Sequence, residues 1–352
     1  MKSYKNLWDQ FISKENFYIA FCNSKVGKSN QKQVQKFCEN WEENLENVRQ
    51  LVISGNFHTS KYITKTIHEP KERVIFMLPY APDRIVQHAV MNILKPILSN
   101  LFIQNTFACI PDRGQSKASN KCSEYVSKFN YCLKCDIKKF FPSINQQILS
   151  NKLHRIIRDD RFMVVVDDII FSADGNTNCP IGNYTSQWFG NYYLSFLDNF
   201  VLHTLKCGAY ERYCDDFMLF SDDKNYLNYC KTEIEKFLWN ELNLTFSKCD
   251  LFPIKQGVDF VGYRHFPGYK LVRKSTSKRI KKRINGIEKA IDKGEKINDT
   301  IRGQIESANG VLKHANTYNF KKSLEFDELM NKAGINSKNR KKNRNTKKSD
   351  NT

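Results

Sequence analysis

The sequence predicts an α+β fold built around a split βαβ unit, and three observations carry that expectation. Strand-like alternation occurs in short, separated runs, at residues 131–136 and on both sides of Asp215-Asp216. Between and around these runs lie longer stretches whose apolar residues recur at three- and four-residue intervals, the period of a helix with one buried face. The order of the central elements is strand, helix, hairpin, helix, strand, which is that of a split βαβ unit.

The elements follow in chain order. Residues 11–54 read as helical, with Phe37, Trp41, Leu45 and Val48 in period, until Gly55 and a β-prone run at 62–67 end the pattern. A strand is expected at 73–78. After Pro82 and Asp83 a helix begins, with Ile85, Ala89, Val90 and Ile93 on one face. At 131–136 YCLKCD alternates and is followed by aromatics and a proline. Residues 186–205 form an amphipathic helix whose stripe is Phe189, Tyr193, Phe196, Leu197, Phe200 and Val201. RYCDDFMLF then reads as strand, polar turn, strand. A helix at 227–242 precedes a hairpin, 257–266 and 269–272, turning at Pro267 and Gly268. Beyond Arg273 come a basic helix, RKSTSKRIKKRINGIEKAIDK, and a second helical stretch from about 301 to 329. From 334 the run has no apolar period and reads as a disordered basic tail. No internal repeat is present.

The 352 residues carry a formal charge of +19, with 40% hydrophobic and 13% aromatic residues. That composition builds a sizeable core, and so large a surplus of one sign points to a polyanionic partner, nucleic acid first. A lysine- and asparagine-rich coding bias is the competing source of the charge. The 11 cysteines, an odd number without regular spacing, exclude a disulfide framework. Charged residues interrupt every apolar run near the amino terminus, so no signal peptide is expected, and no stretch approaches the ~18 apolar residues of a spanning helix. A cytoplasmic protein with no membrane association is the expectation. Cys132 and Cys135 form a lone CxxC without the second pair or histidine that zinc needs.

Four aspartate pairs occur: Asp159-Asp160, Asp167-Asp168, Asp215-Asp216 and Asp222-Asp223. Three read as solvated turn or helix residues. Asp215-Asp216 differs because apolar, strand-like residues flank it on both sides, which places the turn of a buried hairpin there. Two carboxylates so fixed repel one another unless a cation intervenes, and hard oxygen ligands suit Mg²⁺. A third acid is needed to bridge two ions at the ~3.5–4 Å separation of in-line phosphoryl transfer. Asp136, ending the alternating strand upstream, is that acid.

At these residues the chain resembles the reverse transcriptases. CDIKKFFPSI at 135–144 is similar to their first palm motif and YCDD at 213–216 to their YxDD box. PIGNYTSQ at 180–187 sits where they carry a Gly-centred nucleotide and template motif, and GVDFVGY at 257–263 resembles their primer-grip hairpin. The resemblance implies a right-hand polymerase with helix-rich fingers (1–130), a split βαβ palm (131–265), an α-helical thumb (266–333) and the disordered basic tail (334–352). It implies RNA-directed DNA synthesis from dNTPs on template RNA, giving a cDNA/RNA duplex, with two Mg²⁺ ions held by Asp136, Ile137, Asp215 and Asp216. Phe141 matches the aromatic gate that excludes a 2′-hydroxyl, and one of Phe140 and Phe141 is expected in the core. Arg73 matches the fingers arginine near the incoming nucleotide, suited to bidentate phosphate contact. Lys248 falls where a lysine is proposed to protonate the leaving pyrophosphate. Val261, Gly262 and Tyr263 match the primer grip, and Lys278, Arg279, Lys281, Lys282 and Arg283 are expected on nucleic-acid backbone without base specificity.

Many reverse transcriptases carry QGxxxSP in the nucleotide motif, whereas this chain has Ile181-Gly182 and ends the motif on Ser186-Gln187. IGxxxSQ resembles the enzymes of diversity-generating retroelements, which copy a template RNA with frequent errors opposite adenine. ENFYIAF near the amino terminus and SANGVLKHANTY at 307–318 are similar to the same group, and the resemblance spans roughly residues 4 to 325. It implies Ile181, Gly182 and Gln187 at the nucleotide, and a small basic helical accessory protein as partner. With Ile181 offering only apolar contact, mispairs lose less relative to correct pairs. No paired-histidine endonuclease cluster and no room for an RNase H domain follow the thumb, which argues against a mobile intron protein. The alternatives are a retron or phage-defence reverse transcriptase making short cDNA and, in another class, a catalytically idle RNA-binding chaperone.

Overall fold

The computed structural model describes residues 3–68 and 72–335. Most of the expected basic tail, from 336 on, lies outside the described residues. The chain divides into two compact units, Met1–Ala118 with Leu133–Leu251, and Ser119–Cys132 with Phe252 onward.

The amino-terminal helical region of the first unit begins with the single turn Trp8–Phe11 and continues as the helices Lys14–Ser24, Lys32–Glu39 and Trp41–Ile53. Ser13 caps the helix Lys14–Ser24 by accepting from Asn16 N, and Phe21 stacks on Trp41 with ring centres 5.6 Å apart. Strands β1 (Ile63–Ile67) and β2 (Arg73–Met77) then pair antiparallel, with Ile63 opposite Met77. The helix Ile85–Ser99 that follows is buried on nearly every side, from Ile85, Val86 and Ala89 to Met91 and Leu94.

Strands β3 (Tyr131–Ile137), β4 (Tyr210–Tyr213), β5 (Asp216–Ser221) and β6 (Phe246–Pro253) form a four-stranded sheet in the order β4-β5-β3-β6. The interior strand β5 is buried on both faces through Phe217, Met218, Leu219 and Phe220, as a run of consecutive apolar residues requires. The fourth strand is β6 and not the 257–272 segment. Its charged residues, Lys248 and Asp250, interrupt the alternation because it occupies the edge of the sheet.

Between β3 and the β4-β5 hairpin runs the helix Ser186–Asn199, continued by a wider turn at Phe200–Thr204. It does not present a single stripe. Trp188, Phe189, Tyr192, Tyr193, Leu194 and Leu197 are all buried, as are the polar Asn191, Ser195 and Asp198, while Phe196 and Phe200 are only half-buried. A helix buried all round is a core helix, and its polar residues must find partners inside the protein.

In the second unit, β7 (Val258–Phe260), β8 (Tyr263–Phe266) and β9 (Tyr269–Val272) form a separate antiparallel sheet. The basic helix is Lys274–Asp292, with Ile280, Ile284 and Ile287 buried against Ile305, Leu312 and Phe326. The second helical stretch is broken into Asp299–Leu312, Tyr318–Lys322 and Phe326–Lys332. Glu325, in the left-handed conformation at φ 45°, separates the last two.

Candidate active site

The β4-β5 hairpin pairs Tyr213 with Asp216, leaving Cys214 and Asp215 as a two-residue turn. Cys214 has φ +60°, a value such turns ordinarily reserve for glycine. β3 neighbours β5 in the sheet, which brings Asp136 to the same neighbourhood. All three acids are half-buried. Burial pushes the Asp216 carboxyl up to about 6; Lys134 opposes the shift, and the charges of Asp136 and Asp215 add to it. Lys134 Nζ lies 3.0 Å from Asp216 Oδ2, while Ser247 donates to Asp136 Oδ2.

A divalent cation fits this donor set. The ligands on offer are carboxylate oxygens, and Asp216 Oδ1 is buried without a hydrogen-bond partner. An anionic oxygen so placed is costly until a cation meets it. Ile137, buried at the end of β3, brings its carbonyl to the same strand end. Among the described residues no three His, Cys, Asp or Glu side chains already encircle a common point.

The other aspartate pairs do structural work, and more of it than a solvated turn would. Asp159 accepts from the backbone N–H groups of Leu7, Trp8 and Phe162. Asp167 bonds Ser150 and His154, Asp168 accepts from Thr59, and Asp223 caps the helix Lys224–Leu242.

Phe141, Ile181, Gly182 and Gln187 line one cavity of about 230 Å³, together with Arg84, Asn183, Tyr184 and Ser186. Phe140 is buried while Phe141 is half-buried at the cavity wall. Both rings rest against Gly190, where a Cβ would meet each at 3.1 Å. The 180–187 loop is lashed down at several points. Ile181 O accepts from Phe76 N at 2.8 Å, Tyr184 N donates to Gln87 Oε1 at 2.8 Å, and Asn183 Nδ2 donates to Tyr62 OH at 2.7 Å. The Tyr184 ring stacks on His88 at 3.8 Å, and Lys95 donates to its hydroxyl. Gly182, at φ +135°, passes so close to β2 that a Cβ would lie 2.0 Å from the Phe76 carbonyl oxygen. Its glycine is thus required by backbone packing as well as by position in the cavity wall.

Arg73 opens β2, exposed, opposite Ile67, and is not among the residues lining the cavity. Lys248 is exposed on β6 and paired with Asp250 at 2.8 Å, which raises its pKa. In the second unit, Val261 and Gly262 form the turn between β7 and β8 at φ 39° and 89°. Tyr263 is buried and donates its hydroxyl to Val311 O. Lys278, Arg279, Lys281, Lys282 and Arg283 are all exposed on the helix Lys274–Asp292.

Arg84 and Tyr184 in the cavity wall escaped the sequence reading. The only signal for Arg84 was its place in Pro82-Asp83-Arg84 at the head of a helix. Burial and then the charges of Arg84 and Lys95 hold the His88 imidazole down to about 3, so it stays neutral.

Residues 64–265 match the reverse transcriptase (RNA-dependent DNA polymerase) family. That is more than half of the chain, and the chain belongs to this family. An intron protein of Saccharomyces cerevisiae, named for COX1/OXI3 intron 2, is 27% identical over 128 residues, covering 34% of this chain and 15% of the yeast protein. The telomerase of Candida albicans, solved with a TWJ fragment of telomeric RNA, overlaps 83% of this chain and 64% of its own at 13% identity and a TM-score of 0.47. The chain thus spans less than two thirds of either protein. Among the described residues no helix is long and apolar enough to cross a membrane.

Proposed function

We propose that this chain is an RNA-directed DNA polymerase that copies a template-repeat RNA with frequent errors opposite adenine, as in a diversity-generating retroelement. The observation that carries the reading is the cavity wall of Phe141, Ile181, Gly182 and Gln187 within the same unit as the acid hairpin. Family membership supports the polymerase part; the IGxxxSQ loop supports the retroelement part.

In this reading residues 1–130 supply the fingers, 131–265 the palm and 266–333 the thumb, so that the primer-grip end of the palm falls in the second compact unit. Asp136, Asp215, Asp216 and the Ile137 carbonyl would hold magnesium, which when bound would activate the primer 3′-hydroxyl and offset the charge of the departing pyrophosphate. Phe141 closes the space beneath the sugar, so that a 2′-hydroxyl collides with the ring. Arg73, at the head of β2, reaches for the triphosphate, and Lys248, kept charged by Asp250, is the proton donor for pyrophosphate. Val261, Gly262 and Tyr263 guide the primer, and the exposed cations of the helix Lys274–Asp292 take the duplex backbone. A small basic accessory protein completes the assembly, which works in the cytoplasm.

Ile181 gives the reading its specificity. It is a half-buried apolar side chain on a loop fixed by bonds to β2 and to the helix Ile85–Ser99, so it neither donates nor accepts at the nucleotide. At this position discrimination then rests on shape, which separates substrates less sharply than a hydrogen bond that is made or lost. The test is cDNA sequenced from an RNA template containing all four bases. Misincorporation concentrated at template adenines, and reduced in Ile181→Asn, supports the proposal; an error spectrum that is flat, or that the substitution leaves unchanged, sinks it.

A further inference from the structure

Beneath the acid hairpin lies a charged pair that no part of the reaction uses. Arg212 and Asp198 are both fully buried. Arg212 Nε donates to Asp198 Oδ1 at 2.7 Å and Nη2 to Oδ2 at 2.6 Å, a bidentate fork. Nη2 also donates to Asn191 O, and Nη1 donates to Asn191 Oδ1 at 3.1 Å and to Cys214 O at 3.0 Å. Every guanidinium N–H is therefore used. Asp198 accepts in addition from Tyr210 OH at 2.7 Å and Thr106 Oγ1 at 3.0 Å. The backbone of Arg212 is fixed as well, its N–H on Asn105 O and its carbonyl accepting from Phe107 N.

The bond to Cys214 O is the informative one. Cys214 occupies the left-handed turn position, where a side chain costs about 1 kcal/mol or more, and its carbonyl belongs to the peptide that leads into Asp215. Burial by itself would strip charge from the guanidinium, but Asp198 and its hydrogen bonds raise the pKa above the ordinary arginine value. Because Asp198 cancels that charge at contact distance, Arg212 offers the neighbouring acids little electrostatic relief. What it offers them is geometry.

We propose that the Arg212–Asp198 pair is a positioning device for the acid hairpin: the fork anchored on Asp198 holds the Cys214–Asp215 peptide in its left-handed turn and so sets the side chains of Asp215 and Asp216 for metal. This rests on the reading of the hairpin as catalytic. Lysine cannot replace the arginine, since a single ammonium does not span Asp198, Asn191 and the Cys214 carbonyl together.

The test uses the full chain and two readouts, hydrogen exchange of the 210–218 segment and primer extension on RNA as a function of Mg²⁺. Arg212→Lys should raise turn exchange at least tenfold relative to the rest of the sheet, raise the Mg²⁺ concentration for half-maximal extension several-fold, and slow extension about a hundredfold. Adding Cys214→Gly to that variant should recover at least a tenth of the lost rate, because glycine holds the turn without the anchor. If Arg212→Lys does not fold, the apolar pair Arg212→Met with Asp198→Leu keeps the core filled and should show the same loosened turn. Unchanged turn exchange in whichever folded variant is used, or an extension loss that Cys214→Gly leaves untouched, overturns the proposal. Failure of the unaltered chain to extend any primer overturns the catalytic reading instead, and the exchange comparison still decides whether Arg212 holds the turn.

Discussion

The two ends of the candidate site are built by opposite means. The acid end is a strand hairpin set over buried polar chemistry, with a guanidinium fork, a fully engaged aspartate and a carboxylate oxygen left without a partner. The cavity end is a loop, 180–187, held by a backbone bond to β2, by Gln87 and by the stack of Tyr184 on His88, and its Ile181 shares the cavity wall with the ring of Phe141. The difference teaches how, in the proposed function, the two ends would divide their labour. In the proposed function, phosphoryl transfer at the acids needs charges fixed in place, whereas the cavity wall acts on the choice among bases through its contour.

The contrast can be broken most severely at Gly182. Gly182→Ala drives a Cβ into the Phe76 carbonyl oxygen, so the loop must leave β2. The expected result is destabilisation of about 3 kcal/mol or more in urea melts, with extension lost at least a hundredfold. A variant with near-normal stability and rate would mean that the loop is not fastened as described. Ile181→Asn has a smaller and different effect. Extension should stay within about threefold of the parent while the share of errors at template adenine falls several-fold, read by sequencing the cDNA.

The smallest effect sharpens the comparison through pH. His88 is held neutral by burial and by Arg84 and Lys95, with its pKa down at about 3 against 6.5 in the unfolded chain. Between those values the unfolded chain takes up a proton that the folded one refuses, so stability contributed at neutral pH is lost as pH falls from about 6.5 toward 3. His88→Phe keeps the stack on Tyr184 and removes the proton. Its loss of stability between pH 7 and pH 4.5 should be smaller than that of the parent by about 1–3 kcal/mol. Equal losses in the two proteins would show that His88 titrates normally.

The sequence made part of this legible for local reasons. The acid hairpin stood out because apolar strands flank it, and Phe141, Ile181, Gly182 and Gln187 stood out in short contiguous motifs; they share one cavity. β6 was illegible because an edge strand tolerates the charges that break alternation. Asp198 was hidden in the helix Ser186–Asn199, where a lone acid looks like the solvent face, and only its pairing with Arg212 across the fold shows that it is core. The left-handed turn at Cys214 gave no sign, since no glycine or asparagine marks it. The separate sheet of β7, β8 and β9 was half legible: the turn at Pro267 and Gly268 was readable, but the turn at Val261-Gly262 was not, because a branched residue at φ 39° is unexpected.

Primer extension on an RNA template with dNTPs and Mg²⁺, run side by side with Asp215→Asn, is the most direct measure of whether the acid hairpin makes this chain a polymerase. The intact chain should give full-length cDNA, and the variant, equally folded by its melting temperature, should be slower by about a thousandfold or more. An intact chain that retains the RNA without extending the primer, or an Asp215→Asn variant that extends as well as the parent, would contradict it.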